Sequence, residues 1–327
     1  MAIPVIPTIV LIELLILVSI LLAFVLGWNN SGLTTGNLTN LIRYNISLAV
    51  TLLGMLAGFL LEGSKMTQSI VGNLVTTHIS SGDVLVGAAT SLVLFFSLAI
   101  AKIPVSMSNC IVGSFVGVAI SSNVSVSYTV LLRIVGSWLV APFICAGVAI
   151  AFYEIGERAV KSTSLSTASW ANRIVLLLAV FYVSYALGAN NGGMIYSIIV
   201  QSSGMEFSTG LLYLIEISIY VAIVTGTALF GKSIAKVVGE KIVRLSSLKT
   251  VAALLSTAFV TWAFTQISVP ISLTQVVIGG MVGAGSAKGP TVVNKSELFS
   301  MIWHWVLVTI LCAILAYGVE YLYHSIM

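Results

Sequence analysis

Apolar runs of about 18–27 residues recur along this 327-residue chain, the length a helix needs to cross the hydrocarbon core of a bilayer. They lie near 4–28, 44–62, 84–101, 103–121, 127–153, 173–203, 207–230, 250–268, 270–285 and 300–323. Charged residues make up only 7% of the chain, against about 25% in an ordinary soluble domain. A soluble protein must cover its surface with polar groups, and this chain has too few, so hydrocarbon is its outer solvent. A membrane barrel would show alternating segments of roughly ten residues, and none occurs. The expected fold class is all-α, a polytopic membrane protein. Cys110, Cys145 and Cys312 sit inside apolar segments and read as small buried hydrophobes. The net charge of +4 forms no basic patch, so nucleic acid is not expected as a partner.

The longest polar stretch, 154–172, falls near the midpoint. It divides the chain into a first transmembrane repeat (1–153), a cytoplasmic linker (154–172) and a second, inverted repeat (173–327). Another polar stretch, 231–249, carries Lys232, Lys236, Lys241, Arg244 and Lys249, whereas its counterpart 63–83 carries only Lys65. Basic loops stay cytoplasmic, which places 154–172 and 231–249 inside and 63–83 outside. The same parity puts both termini outside the cell membrane. It counts 103–121 and 270–285 as crossings, and re-entrant hairpins there would require it to be rebuilt. Trp303, Trp305, Tyr321 and Tyr323 read as interfacial anchors.

Two motifs occur twice, in the same order. Gly27-Trp28-Asn29-Asn30-Ser31-Gly32 is echoed by Gly188-Ala189-Asn190-Asn191-Gly192-Gly193. The stretch from Pro104 to Gly113, PVSMSNCIVG, is echoed by Pro270 to Gly279, PISLTQVVIG. The intervals agree as well, 77 residues from Gly27 to Pro104 and 82 from Gly188 to Pro270. With the loop charges reversed between halves, this is an inverted repeat. That architecture places a transport site near the bilayer midplane, where interrupted helices from both halves meet.

The chemistry at those positions suits an anion. A Gly-Asn-Asn break in a membrane helix would free backbone groups that must line a polar cavity or be buried in protein. A Pro-x-Ser-x-Ser/Thr start before an apolar, glycine-rich run reads as the N-terminus of a half-helix. Its free N–H groups and positive dipole end face whatever lies ahead. The hydroxyls of Ser106, Ser108, Ser272 and Thr274 add donors, as do the amides of Asn29, Asn30, Asn109, Asn190, Asn191 and Gln275. Two such termini, re-entrant or hairpin-like, would form a nest for a tetrahedral oxyanion. No HExxH, no Ser/His/Asp set and no nucleotide-binding glycine loop is present, so an enzyme is not expected.

These residues resemble the inorganic phosphate transporter (PiT) family, which carries a GxND-type and a PVSTTH-type signature in each half. The stretches 63–70 and 231–239 are similar to the family's segments after the second helix of each repeat, and the likeness covers nearly the whole chain. It implies an inverted-repeat secondary transporter with phosphate as default substrate, sodium or proton coupling, no other cofactor, and a homodimer. The departures are systematic. Asn30 and Asn191 stand where the family has Asp, Gln68 and Lys236 where it has Glu, and Asn109 and Gln275 where it has His.

Phosphate near neutral pH still carries a proton and gains from a carboxylate acceptor, whereas sulfate carries none and needs donors only. Replacing Asp by Asn keeps the shape, deletes the charge and supplies an NH₂ donor. Phosphate and sulfate therefore both stay open, with a sulfate permease, weakly coupled, as the alternative. Sodium would rest on Asn29, Asn190 and backbone carbonyls. Glu13 and Glu216, acids inside apolar spans, are the candidates for proton coupling.

Overall fold

The computed structural model describes residues 7–35, 42–67, 69–70, 72–75, 79–101, 103, 105–161, 163–202, 207–241, 245–288 and 295–326. Within its helices, the side chains of 31, 33–35, 165, 201–202, 233–241, 295–298 and 300–301 lie outside that description. Gln68, Pro104 and the side chain of Lys236 therefore fall outside it. In chain order the helices are α1 (Thr8–Thr35), α2 (Tyr44–Glu62), α3 (Ser81–Ile100), α4 (Met107–Ser121), α5 (Tyr128–Lys161), α6 (Leu165–Leu187), α7 (Gly193–Ser202), α8 (Thr209–Lys241), α9 (Ser247–Gln266), α10 (Leu273–Ser286) and α11 (Lys295–Ile326). A 3-10 turn follows α2, and one π-helical turn, Gly188–Gly192, joins α6 to α7. Among the described residues the sole β pairing is one bridge, Val75 with Val126.

Eight spans are long and apolar enough to cross a membrane, while α4 and α10 are too short. At 15 and 14 residues they reach about 22 and 21 Å, against a hydrocarbon core of about 30 Å. Both belong to hairpin-like segments, whose ends are brought together by the contacts there. The start of α3 and the end of α4 meet the same stretch of α11: His324 lies 3.5 Å from Asp83, and Ser122 donates to Glu320 at 2.9 Å. In the other half, Lys249 at the start of α9 donates to the carbonyls of Gly285 and Lys288, where α10 ends. Each hairpin thus returns to the face it left. Replacing two crossings by none leaves the parity expected from the sequence unchanged.

The polar stretch 154–172 is a correction. It is helical over 154–161 and 165–172, because α5 runs to Lys161 and α6 starts at Leu165, where Ser164 accepts a bond from the Thr167 N–H. Glu154 with Arg158 and Glu157 with Lys161 pair at i,i+4 and support the helix beyond the apolar span. Glu157 also holds the exposed Lys288 ammonium at 2.6 Å, and that hydrogen bond raises the Lys288 pKa above its ordinary value.

The two repeats interlock. Helix α1 packs on α8, and its counterpart α6 on α2; α4 packs on α11, and its counterpart α10 on α5. Glycines set these distances. A Cβ on Gly113 or Gly117 would lie 2.4 or 2.1 Å from the carbonyl oxygens of Thr309 and Ala313 on α11. The equivalent Gly279 and Gly283 meet Pro142 and Ala146 on α5 at 2.3 Å each. Backbones this close admit no side chain, which is the small-residue packing of membrane helices. Gly283→Val should therefore destabilise the fold by about 1–3 kcal/mol or more, read as a lower melting temperature in detergent. An unshifted melting temperature would contradict the backbone contact. Cys110, Cys145 and Cys312 are buried and unbridged, as the sequence suggested. Trp303 is exposed, but Trp305 is buried and is no interfacial anchor.

Candidate functional site

The helix interruptions fall in one pair of motifs and not in the other. Helix α1 runs unbroken through Gly27–Gly32, and Gly188–Gly192 winds as a π turn, so neither Gly-Asn-Asn motif opens the chain as expected. A π turn displaces one hydrogen-bond step and is frequent at functional sites. The glycines serve approach instead. A Cβ on Gly27 would lie 2.1 Å from the Ile223 oxygen, and one on Gly188 would lie 2.1 Å from the Met55 oxygen. The real breaks are the hairpin tips between α3 and α4 and between α9 and α10, from which α4 and α10 start behind Ser106 and Ser272.

Asparagines hold those tips by equivalent bonds. Asn29 donates its amide N–H to the Ile103 carbonyl at 3.3 Å, and Asn190 donates to the Val269 carbonyl at 3.3 Å. Each accepting residue precedes the proline of its motif. Asn190 is the better anchored. It also donates to Thr265 Oγ1 at 3.0 Å and accepts from the Ile271 N–H at 3.3 Å. Trp138 adds an indole bond to the Pro270 carbonyl at 3.0 Å.

The two half-helix starts meet directly, for Ser108 in the first turn of α4 donates to the Ile271 carbonyl at 2.8 Å. Asn29, Asn30, Ser106, Ser108, Asn190, Asn191, Ser272 and Thr274 are all fully buried inside the chain, away from lipid. They divide by partner. Ser108 is spent on Ile271, and Ser272 caps α10 by accepting from the Gln275 N–H. The amides of Asn30 and Asn191 and the hydroxyls of Ser106 and Thr274 bond to no protein atom. Buried polar groups normally find partners, so the uncommitted Asn30 and Asn191, at paired positions of the repeat, and the uncommitted hydroxyls at the two half-helix starts mark a place built for something else.

Several expected residues lie elsewhere. Asn109 and Gln275 line a cavity of about 440 Å³ between α5 and α11, walled by Trp138, Pro142, Trp305 and Thr309. Asn109 spends its N–H groups on the Trp305 carbonyl and Thr309 Oγ1, at 3.2 and 3.1 Å. Glu13 is exposed on α1, about 24 Å along the axis from Asn29, and the structure does not bring it to the tips. Glu216 is half-buried on α8 against Tyr196. For sodium, Asn29 keeps a free Oδ1, while Asn190 Oδ1 is already an acceptor. Thr261 and Thr265 of α9, one turn apart and buried, were not singled out from the sequence, although their i,i+4 spacing beside a Pro-x-Ser motif is legible there.

The sequence model of the family described as "Phosphate transporter family" matches residues 7–149 and 153–316. The chain belongs to the phosphate transporter family. Within that family it is 26% identical over 309 residues to a protein of Methanocaldococcus jannaschii named as a phosphate permease, covering 94% of this chain and 96% of that one. It is 25% identical over 281 residues to the sulfate permease CysP of Bacillus subtilis, covering 83% and 75%. In fold it is similar to a solved structure titled the sodium-dependent phosphate transporter. The TM-score there is 0.80 at 20% identity, covering 97% of this chain and 100% of that one. Phosphate transporter family membership agrees with an inverted repeat whose hairpin tips meet inside the bundle.

Proposed function

We propose that this chain carries inorganic phosphate across the cell membrane by alternating access, driven by Na⁺ or H⁺. The observation that supports the reading is the meeting of the α4 and α10 N-termini, which carry the uncommitted Ser106 and Thr274, while the equally uncommitted Asn30 and Asn191 follow in sequence the asparagines that hold the tips. Helix N-termini approached from opposite faces present N–H groups and positive dipole ends to a single guest. Uncharged donors then replace its hydration shell. A cation for coupling would find Asn29 Oδ1 and the backbone carbonyls of the tips. The basic residues concentrated in 154–172 and 231–249 support a cytoplasmic location for those segments and an extracellular one for both termini.

Sulfate is the second reading, favoured by one feature. None of the motif positions carries a carboxylate, and a site of donors alone suits an anion without a proton. Proteoliposomes tested with labelled phosphate and labelled sulfate, with and without Na⁺ and H⁺ gradients, decide among these. The expected result is saturable phosphate uptake that a cation gradient increases. Sulfate uptake without phosphate uptake would replace the substrate, gradient-independent uptake would remove coupling, and uptake of neither would end the transport reading. Ser106→Ala and Thr274→Ala should each weaken anion binding by about 1–3 kcal/mol, measured as a higher half-saturation concentration.

A further inference from the structure

Far from the hairpin tips, where α3 begins and α4 and α11 end, a second polar cluster has no part in the transport site. Asp83 is fixed by a capping box, accepting from the Ser80 N–H at 3.2 Å while its own N–H donates to Ser80 Oγ at 3.1 Å. Its other oxygen, Oδ1, lies 3.5 Å from His324 Nε2. Glu320 is fully buried, and its Oε1 lies 3.0 Å from the same nitrogen and 2.9 Å from the Ser122 hydroxyl. Its Oε2, also buried, has no hydrogen-bond partner. One donor atom from each of Asp83, Glu320 and His324 falls within 4.8 Å of the others.

The inverted repeat supplies an internal comparison. Ser80 and Ser246 stand before the first residues of α3 and α9, so Asp83 and Lys249 are equivalent. At the end of α10 the Lys249 ammonium sits on the Gly285 and Lys288 carbonyls, at 2.9 and 3.0 Å. A cation built into the chain thus meets the negative end of that helix dipole. At the end of α4 the equivalent place holds two carboxylates and an imidazole. Two buried carboxylates beside a helix C-terminus repel one another unless a proton or a cation joins them.

We propose that Asp83, Glu320 and His324 bind a divalent transition-metal cation of the zinc class, which does at this face what the Lys249 ammonium does at the other. The mixed set of carboxylate oxygens and one imidazole nitrogen selects that class, since calcium and magnesium take oxygen alone. The Ser122 hydroxyl, 3.3 Å from His324 Nε2, or a water completes four-coordination. The bound ion ties the base of the α3–α4 hairpin to α11.

The test is calorimetric titration of the untagged, chelator-treated chain in detergent with Zn²⁺, in buffer free of phosphate and sulfate. One saturable site per chain is expected, weakened at least about tenfold in Glu320→Gln and in His324→Ala. Glu157→Gln, at the opposite face, should bind as the wild type does. His324 is half exposed, so His324→Ala stays readable even if Glu320→Gln fails to fold. Absence of saturable Zn²⁺ binding, undiminished binding in His324→Ala, or saturation by Ca²⁺ in place of Zn²⁺ would each overturn the assignment. None of these outcomes depends on which anion the protein moves.

Discussion

Asn191→Asp, and equally Asn30→Asp, should raise the ratio of phosphate to sulfate uptake about ten- to a hundredfold. Neither amide bonds to the protein, so the substitution loses no internal contact and acts on the guest. A buried carboxylate repels any anion, at about 4 kcal/mol for unit charges 4 Å apart in an effective dielectric of 20. Phosphate offsets part of this by donating its remaining proton, a charge-assisted bond of about 1.5–3 kcal/mol. Sulfate has no proton and faces an acceptor it cannot satisfy. At 1.4 kcal/mol per tenfold, the difference between the two anions reaches about two powers of ten. Competitive uptake of the two labelled anions into proteoliposomes measures the ratio. An unchanged ratio would show that the residue at 191 does not touch the substrate.

The neighbouring asparagine should behave in the opposite way. Asn190→Ala removes bonds to Thr265, Val269 and the Ile271 N–H and leaves the last two backbone groups buried without partners. A loss of about 2–4 kcal/mol in stability is expected, with the melting temperature falling by several degrees. Asn191→Ala breaks no bond to the protein and should melt within about 0.5 kcal/mol of the wild type while its uptake collapses. Thermal unfolding of the two variants side by side, followed by uptake, separates the residue that builds the site from the one that meets the guest. A destabilised Asn191→Ala with a stable Asn190→Ala would exchange those roles.

Much of the fold was legible because membrane helices announce themselves by length and composition. All ten apolar runs correspond to helical segments, with α6 and α7 sharing one run across the π turn. The repeat was legible because paired motifs survive in order. What the sequence hid was local. Gly-Asn-Asn reads as a helix break, yet the glycines exist to let α1 lie on α8 and α6 on α2, a need visible only once the partner backbone is placed. Polar residues at 154–172 suggested a loop, but i,i+4 ion pairs carry α5 beyond the bilayer. Within one motif the residue type did not reveal duty. Asn190 and Asn191 are adjacent and identical, and only the direction of each side chain makes one a strut and the other a free donor. Asn109 and Gln275 turned out to line the cavity between α5 and α11, because helix geometry points them away from their neighbours in sequence.

The exchange of partners between halves bears on how the chain reaches its folded form during synthesis. Helix α4 emerges from the ribosome early, but the helix its glycines require, α11, follows only after α5 to α10. Until then the first hairpin, although α3 packs on α1, keeps a bare stripe at Gly113 and Gly117. A chain cut before α11 would leave that hairpin stranded, a ready target for quality-control proteases. Synthesis of α11 is thus the step that covers this stripe and closes the exchange between the halves.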